Sequence, residues 1–285
     1  SALNSNLSPG NYTCQLVDAN QCTPPQQNAT ITMVSTAVIS NVSMVSNPTC
    51  NGSMNGSISI NASGGNGQFS YSWTPNLGNA SSLTNLSAGT YTCQVTDGLG
   101  CSSIQQIALT QPNPLTVNST VNPITCYGNA TGSLSLNTVG GTAPYQYNWA
   151  GNLGTINSIS TLSAGVYSCQ ITDINNCILN QSFQISNPPA ITTTILNIST
   201  VDCYGNSTGS AAISAVGGTG TLSYLWSPNQ STNSTLSNVP AGTYTCTISD
   251  ANGCQQSTNV TISQPNSLSS SITTLNPVSC FGGTN

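Results

Sequence analysis

The sequence predicts an all-β protein made of tandem antiparallel β-sandwich repeats of about 76–77 residues. Three observations predict it: a self-similarity that recurs at one step along the chain, an apolar periodicity of two, and the lack of any stretch with a helical period. Trp73, Trp149 and Trp226 stand 76 and 77 residues apart, and Cys50, Cys126, Cys203 and Cys280 step by 76, 77 and 77. Cys93, Cys169 and Cys246 keep that step, as do Cys101, Cys177 and Cys254. The steps divide the chain into a C-terminal part of a repeat (1–36, with Cys14 and Cys22), complete repeats at 37–112, 113–188 and 189–265, and an N-terminal part of another at 266–285. This predicts a window on a longer array. The boundaries fall at Gln111-Pro112-Asn113-Pro114, Asn187-Pro188-Pro189 and Gln264-Pro265-Asn266. Proline there ends a strand and stiffens a very short linker, which predicts a rod.

The elements of one repeat follow in order. After Gly56, Ile58 and Ile60 alternate with Ser up to a Gly64-Gly65 turn. Phe69, Tyr71 and Trp73 then alternate with Ser70 and Ser72, and Tyr91, Cys93 and Val95 with Thr92, Gln94 and Thr96. Ile107 and Leu109 close the repeat. Short runs of β-branched and aromatic residues bounded by Gly, Pro and Asn read as roughly seven strands of a sandwich. Strong helix formers such as Glu and Lys are absent.

Composition removes whole classes of function. The 285 residues include five carboxylates, all Asp, and no Lys, Arg, His or Glu. No imidazole, amine or Glu is present to act as a general base or to activate a nucleophile, so an enzyme is not expected. No cation grips phosphate, which excludes phosphate-driven nucleic-acid binding and a basic lipid patch. No apolar run reaches the 18 or so residues of a membrane span. Hydrophobic residues still make up 36%, with ten Tyr and three Trp, enough for small cores. Twelve Cys in so polar a chain point to an oxidising, extracellular setting.

Assembled, a repeat reads Cys126-Tyr127-Gly128, Gly132-Ser133-Leu134, Gly140-Gly141, Pro144-Tyr145-Gln146-Tyr147-Asn148-Trp149, Ala164-Gly165-Val166-Tyr167, Asp173 and Cys177. This ordered combination resembles the SprB-type repeat of Bacteroidota surface adhesins, a relative of PKD and immunoglobulin-like sandwiches. The resemblance covers the three complete repeats and both fragments. It implies a tandem immunoglobulin-like/PKD-like fold in a very long cell-surface protein, exported by the type IX secretion system and working in adhesion and gliding. Two departures mark a specialised, fibrous member. Charge is almost gone, and Cys93, Cys169 and Cys246 stand where the family commonly has Val.

The resemblance also implies the disulfide pairs Cys50–Cys101, Cys126–Cys177 and Cys203–Cys254. Strand phase offers a rival, because Cys93 and Cys101 flank one hairpin and each is in phase with inward residues. Either pairing leaves one thiol per repeat; with the pairing the resemblance implies, Cys93, Cys169 and Cys246 are buried free cysteines or bonds to another repeat or chain. Metal binding would need clustered cysteines, and no metal or cofactor is expected. Asp18, Asp97, Asp173 and Asp250 each precede a Cys by four residues, in turns that an Asp side chain caps; one carboxylate per turn is a poor calcium site. Asp202 has no counterpart in the other repeats. Trp73, Trp149 and Trp226 are in phase with core residues, which opposes a sugar-stacking row. Tyr91, Tyr167 and Tyr244 resemble the tyrosine corner of immunoglobulin-like domains. Asn-x-Ser/Thr sequons recur, among them Asn11, Asn41, Asn51, Asn61, Asn79, Asn85, Asn129, Asn206 and Asn233, in a composition that generates many by chance. Outward Thr243, Thr245 and Thr247 suit a hydrated strand surface.

The function expected is that of a structural and adhesive cell-surface protein, a disulfide-stabilised rod or filament that self-associates, with a multivalent carbohydrate-binding array as the alternative and surface glycans as candidate ligands. Lacking Lys and Arg, the chain should survive trypsin even when reduced and unfolded, while chymotrypsin digests it. Gel or mass analysis of the two digests checks this.

Overall fold

A computed structural model describes residues 5–33, 36–273 and 281. The N-terminal part forms a hairpin of β1 (Gly10–Cys14) and β2 (Gln27–Ile31). The first complete repeat holds β3 (Thr36–Ser46), β4 (Gly56–Gly65), β5 (Phe69–Thr74), β6 (Ser82–Leu86), β7 (Gly89–Asp97) and β8 (Ser102–Leu109). The second holds β9 (Thr116–Asn122), β10 (Gly132–Val139), β11 (Gln146–Trp149), β12 (Ser158–Leu162), β13 (Gly165–Thr172) and β14 (Ile178–Ile185). The third holds β15 (Thr192–Ser199), β16 (Gly209–Val216), β17 (Ser223–Ser227), β18 (Thr235–Val239), β19 (Gly242–Ser249) and β20 (Gln255–Ile262). Every described element is a β-strand, and the complete repeats form a tandem series of antiparallel β-sandwiches.

Each repeat has six strands where the sequence predicts roughly seven. They form two three-stranded sheets, ordered β3-β4-β6 and β5-β7-β8 in the first repeat and likewise in the others. Between β3 and β4 the polar stretch around Cys50 closes into a turn, the Ser53 N–H donating to the Cys50 carbonyl at 3.1 Å.

In the first and third repeats the inward residues of both sheets fuse into one core. In the first repeat Ile58 and Ile60 from one sheet meet Trp73, Tyr91, Cys93 and Val95 from the other. In the third, Ile213, Trp226, Tyr244, Cys246 and Ile248 repeat the arrangement. Trp73 stands opposite Cys93, and Trp226 opposite Cys246, across antiparallel ladders. Burying one large apolar side chain contributes about 1.5–3 kcal/mol, so these clusters hold each sandwich together. The Trp73, Trp149 and Trp226 indole N–H groups donate to the carbonyls of Ala80, Ile156 and Asn233 at 2.9, 2.9 and 3.0 Å, which satisfies the polar edge of each buried ring. The Tyr91, Tyr167 and Tyr244 hydroxyls donate four residues back, to Ser87, Ser163 and Pro240, the geometry of a tyrosine corner.

The chain packs as two compact units. One comprises residues 1–116, 138–145 and 172–179; the other comprises 117–137, 146–171 and 180–285. Each contains one proline joint between two complete repeats. At each joint a Gly-Gly turn lets backbone approach backbone. Gly140 has φ +79°, and a Cβ on it would lie 1.9 Å from the Pro114 carbonyl oxygen; at Gly217 the same distance to Ala190 is 1.9 Å. The neighbouring Gly141 and Gly218 receive the chain through N–H bonds to the Asn113 and Pro189 carbonyls at 2.9 and 3.0 Å.

Gly151 offers an internal control, with φ +77° and nothing within 4 Å of its Cβ position. Gly151→Ala should cost only the left-handed backbone term of about 1–2 kcal/mol. Gly140→Ala should cost at least about twice that, because backbone must also move. Thermal melts of the two variants check the difference.

Candidate functional site: the joint between repeats

Every sandwich has two poles, and each carries a cysteine turn. In the first repeat β4 runs from Gly56 at one pole to Gly64-Gly65 at the other. A Cβ on Gly56 would touch Pro48 and Leu109, so the Cys50 turn and the exit of β8 share its pole. A Cβ on Gly65 would lie 2.6 Å from Asp97 Oδ2, so the Asp97–Cys101 turn sits at the opposite pole.

The two turns are built differently. At the Cys50 pole the Gly52 N–H donates to Gln111 Oε1 at 2.7 Å and the Asn51 amide to the Pro112 carbonyl at 3.1 Å, which ties the turn to the repeat's own exit. Equivalent bonds run from Gly128 to Asn187 Oδ1 (3.2 Å) and from Gly205 to Gln264 Oε1 (2.9 Å). At the other pole one carboxylate organises everything. Asp173 Oδ1 accepts the N–H groups of Asn175 and Cys177, both at 2.9 Å, and Oδ2 accepts that of Thr142 at 2.8 Å. Asp97 serves Leu99, Cys101 and Asn66 in the same way, and Asp250 serves Asn252, Cys254 and Thr219. Asp18 caps the N–H groups of Asn20 and Cys22. A buried carboxylate given only N–H donors is satisfied as an anion and presents the cysteine beside it at a fixed place.

The two poles meet across the joints, and there the cysteines are bonded. Cys50 pairs with Cys177, Cα–Cα 5.6 Å, and Cys126 pairs with Cys254, Cα–Cα 5.5 Å. The first cysteine of one repeat is thus joined to the third cysteine of the next. Beside each bond an Asn from the Asp turn donates across the joint: Asn175 to the Thr49 carbonyl and Asn252 to the Thr125 carbonyl, both at 3.3 Å. The Cys50–Cys177 bond lies in a cleft with Asn113, Pro114 and Gly141.

These bonds correct the pairing that the resemblance implies. Cys50–Cys101, Cys126–Cys177 and Cys203–Cys254 do not form, because the two members of each pair sit at opposite poles of one sandwich. Ten residues of β4 at about 3.3 Å each separate the poles by roughly 30 Å, and a disulfide tolerates no more than about 7 Å between Cα atoms. The hairpin rival fails as well. Cys93 lies inside the core opposite Gln105, while Cys101 is exposed at the pole.

Cys93, Cys169 and Cys246 are unbonded and buried, at 0%, 2% and 0% exposure. Burial raises their thiol pKa values above the ordinary range, against a smaller lowering by backbone hydrogen bonding with Ser72, Asn148 and Leu225. A protonated, enclosed thiol does not attack a disulfide, so they sit harmlessly in the same repeat as the joint bonds. Cys101 and Cys203 are exposed and unbonded, as are Cys14 and Cys22; Cys280 lies outside the described residues.

Asp202 gains an account that the sequence did not supply. Its Oδ1 accepts the Cys203 N–H at 2.7 Å, the Asn206 amide at 3.0 Å and the Thr208 hydroxyl at 2.7 Å. It stands where the earlier repeats have Thr49 and Thr125, and it caps the Cys203 turn. Those three donors, Thr208 first, hold its carboxyl below the usual range. The sign that could have found it is the carboxylate directly before a turn cysteine.

At Asp250, burial acts to raise the carboxyl pKa, and the N–H groups of Thr219, Cys254, Asn252 and Gly253 together outweigh it, leaving the group below its ordinary value of 3.8. A lowered folded-state value stabilises above the unfolded value, and the gain is lost as pH falls through the folded one. Asp250→Asn should therefore lower the melting temperature at neutral pH, with the gap to the parent chain closing below about pH 3.8. Melts across pH check it.

Residues 42–78, 118–154 and 195–231 match the SprB repeat family, one segment in each complete repeat. A comparison with curated protein sequences returns no match. Among solved structures, the three N-terminal domains of the bacteriophage RB49 Highly Immunogenic Outer Capsid protein are similar at 14% identity and TM-score 0.39, over 81% of this chain and 99% of that one. The N-terminal eight Ig domains of Down Syndrome Cell Adhesion Molecule align at 12% identity and TM-score 0.34, over 93% of this chain and 44% of that one. Domains 1–6 of the surface layer protein SbsC align at 12% identity and TM-score 0.27, over 91% and 45%.

Proposed function

With three SprB repeats in hand, we propose that this chain is a structural and adhesive protein of the cell surface, serving as a rod or filament whose repeats are each bonded covalently to the next. The observation that carries the reading is the placement of both disulfides across joints. A bond inside a sandwich would stabilise that sandwich alone. A bond across a joint opposes bending and separation of neighbours, which a load-bearing array requires and an isolated binding module does not.

Other features support the reading. Disulfides persist in oxidising, extracellular compartments. The Cys203 turn is fastened to its own exit as the bonded Cys50 and Cys126 turns are, and Cys101 is capped by Asp97 as Cys177 is by Asp173. These are the two halves of the same joint, which suits a continuing array. With five carboxylates and no cation, repulsion between neighbouring rods is weak, which favours bundling. The absence of any Lys, His or Glu favours a function without catalysis. The tryptophans supply no stacking surface for a carbohydrate array, because Trp73, Trp149 and Trp226 are 3%, 1% and 0% exposed.

Chymotryptic mapping of non-reduced material, compared with the reduced digest, tests the proposal. The expected linked peptides join Cys50 to Cys177 and Cys126 to Cys254, with Cys93, Cys169 and Cys246 recovered as thiols. Links confined within repeats would sink the covalent rod. Bundling should be nearly indifferent to salt, read by light scattering from low to molar ionic strength.

A further inference from the structure

The two disulfides overlap in sequence. Cys126 lies inside the loop closed by Cys50–Cys177, and Cys177 lies inside the loop closed by Cys126–Cys254. Treat each bond as a node. Three separate stretches of backbone then run between the two nodes: 50–126, 126–177 and 177–254. Only the middle one runs in reverse, from the second node back to the first. Had the bonds been nested within single repeats, one strand of backbone would cross each joint.

We infer that this interleaving makes the array a three-stranded covalent ladder, in which no one or two backbone cuts between residues 50 and 254 sever the chain, provided that two cuts fall on different stretches. The same connectivity caps stretching. Cys126 and Cys177 are 51 positions apart, against 76 and 77 for the outer stretches. At about 3.3–3.6 Å per residue, a fully unfolded span between nodes stops at about 170–185 Å, where an unbridged repeat would reach about 250–275 Å. The reversed middle stretch takes the load first, and the outer two remain slack behind it. For a protein outside the cell, the consequence is a fibre that survives being nicked, and survives tension after a repeat has unfolded.

The absence of Lys and Arg supplies a direct test, since a single introduced lysine creates the only trypsin site in the 285-residue chain. Thr110, Thr155 and Ser186 are exposed, outside any strand, and lie one on each stretch. Chains carrying Thr110→Lys, Thr155→Lys and Ser186→Lys, singly and in combination, are alkylated at their free thiols. They are then unfolded with disulfides intact and digested with trypsin. Each single variant, and each pair, should run as one covalent species by denaturing, non-reducing mass analysis and break up only on reduction. The triple variant should give two species: residues 1–110 joined to 156–186, and 111–155 joined to 187–285. Separation of the Thr110→Lys chain at its single cut overturns the ladder, because that is what pairing within repeats produces. A triple variant that stays in one piece overturns it equally.

Discussion

The rest of the structure depends on a carboxylate that accepts only N–H groups. Asp173 and Asp250 each collect the amides of their own turn with one oxygen and an amide just beyond the Gly-Gly turn with the other. In a chain without a single cation, hydrogen bonds from backbone are what make a buried carboxylate tolerable. That one group welds two loops at the pole of a sandwich and fixes the position of a cysteine. The Gly-Gly turn in turn receives the incoming chain from the preceding repeat, whose exit is tied to its own cysteine turn by Gln111 or Asn187. Two independently fastened turns then face each other with their sulfurs within bonding reach.

This division of labour explains the chemistry of the three cysteine positions. Those at the poles are held by short polar turns that set sulfur against sulfur across a joint. The mid-strand cysteine lies against tryptophan and is shielded from both solvent and exchange. One repeat therefore holds thiols of opposite reactivity a strand's length apart, and the sandwich core keeps them from interfering. The charge-poor surface fits the same logic. Hydration comes from Ser, Thr, Asn and Gln, which offer no cleavage site to enzymes that need Lys or Arg and no ion pairs for salt to weaken.

Much of this was legible in the residues. The step of 76–77 marks the repeats, the alternation about Tyr71 and Trp73 gives the strands and their inward faces, and Tyr91 announces its corner. Asp97, Asp173 and Asp250 read as turn caps from their spacing to cysteine alone. Asp202 was opaque, since its partners Asn206 and Thr208 are ordinary residues for this composition.

What the sequence by itself determined is what depends on neighbours close along the chain: strand period, turn chemistry, burial of the aromatic and thiol rows, and the recurrence that turns one sandwich into many. Only the tertiary structure decided which sulfurs meet. Spacing within a repeat is the same whether Cys50 bonds to Cys101 or to Cys177, and both choices use one first-position and one third-position cysteine. The decision rests on distance in space: strand length puts the two cysteines of one repeat at opposite poles, while a joint of a few residues sets one pole against the next repeat.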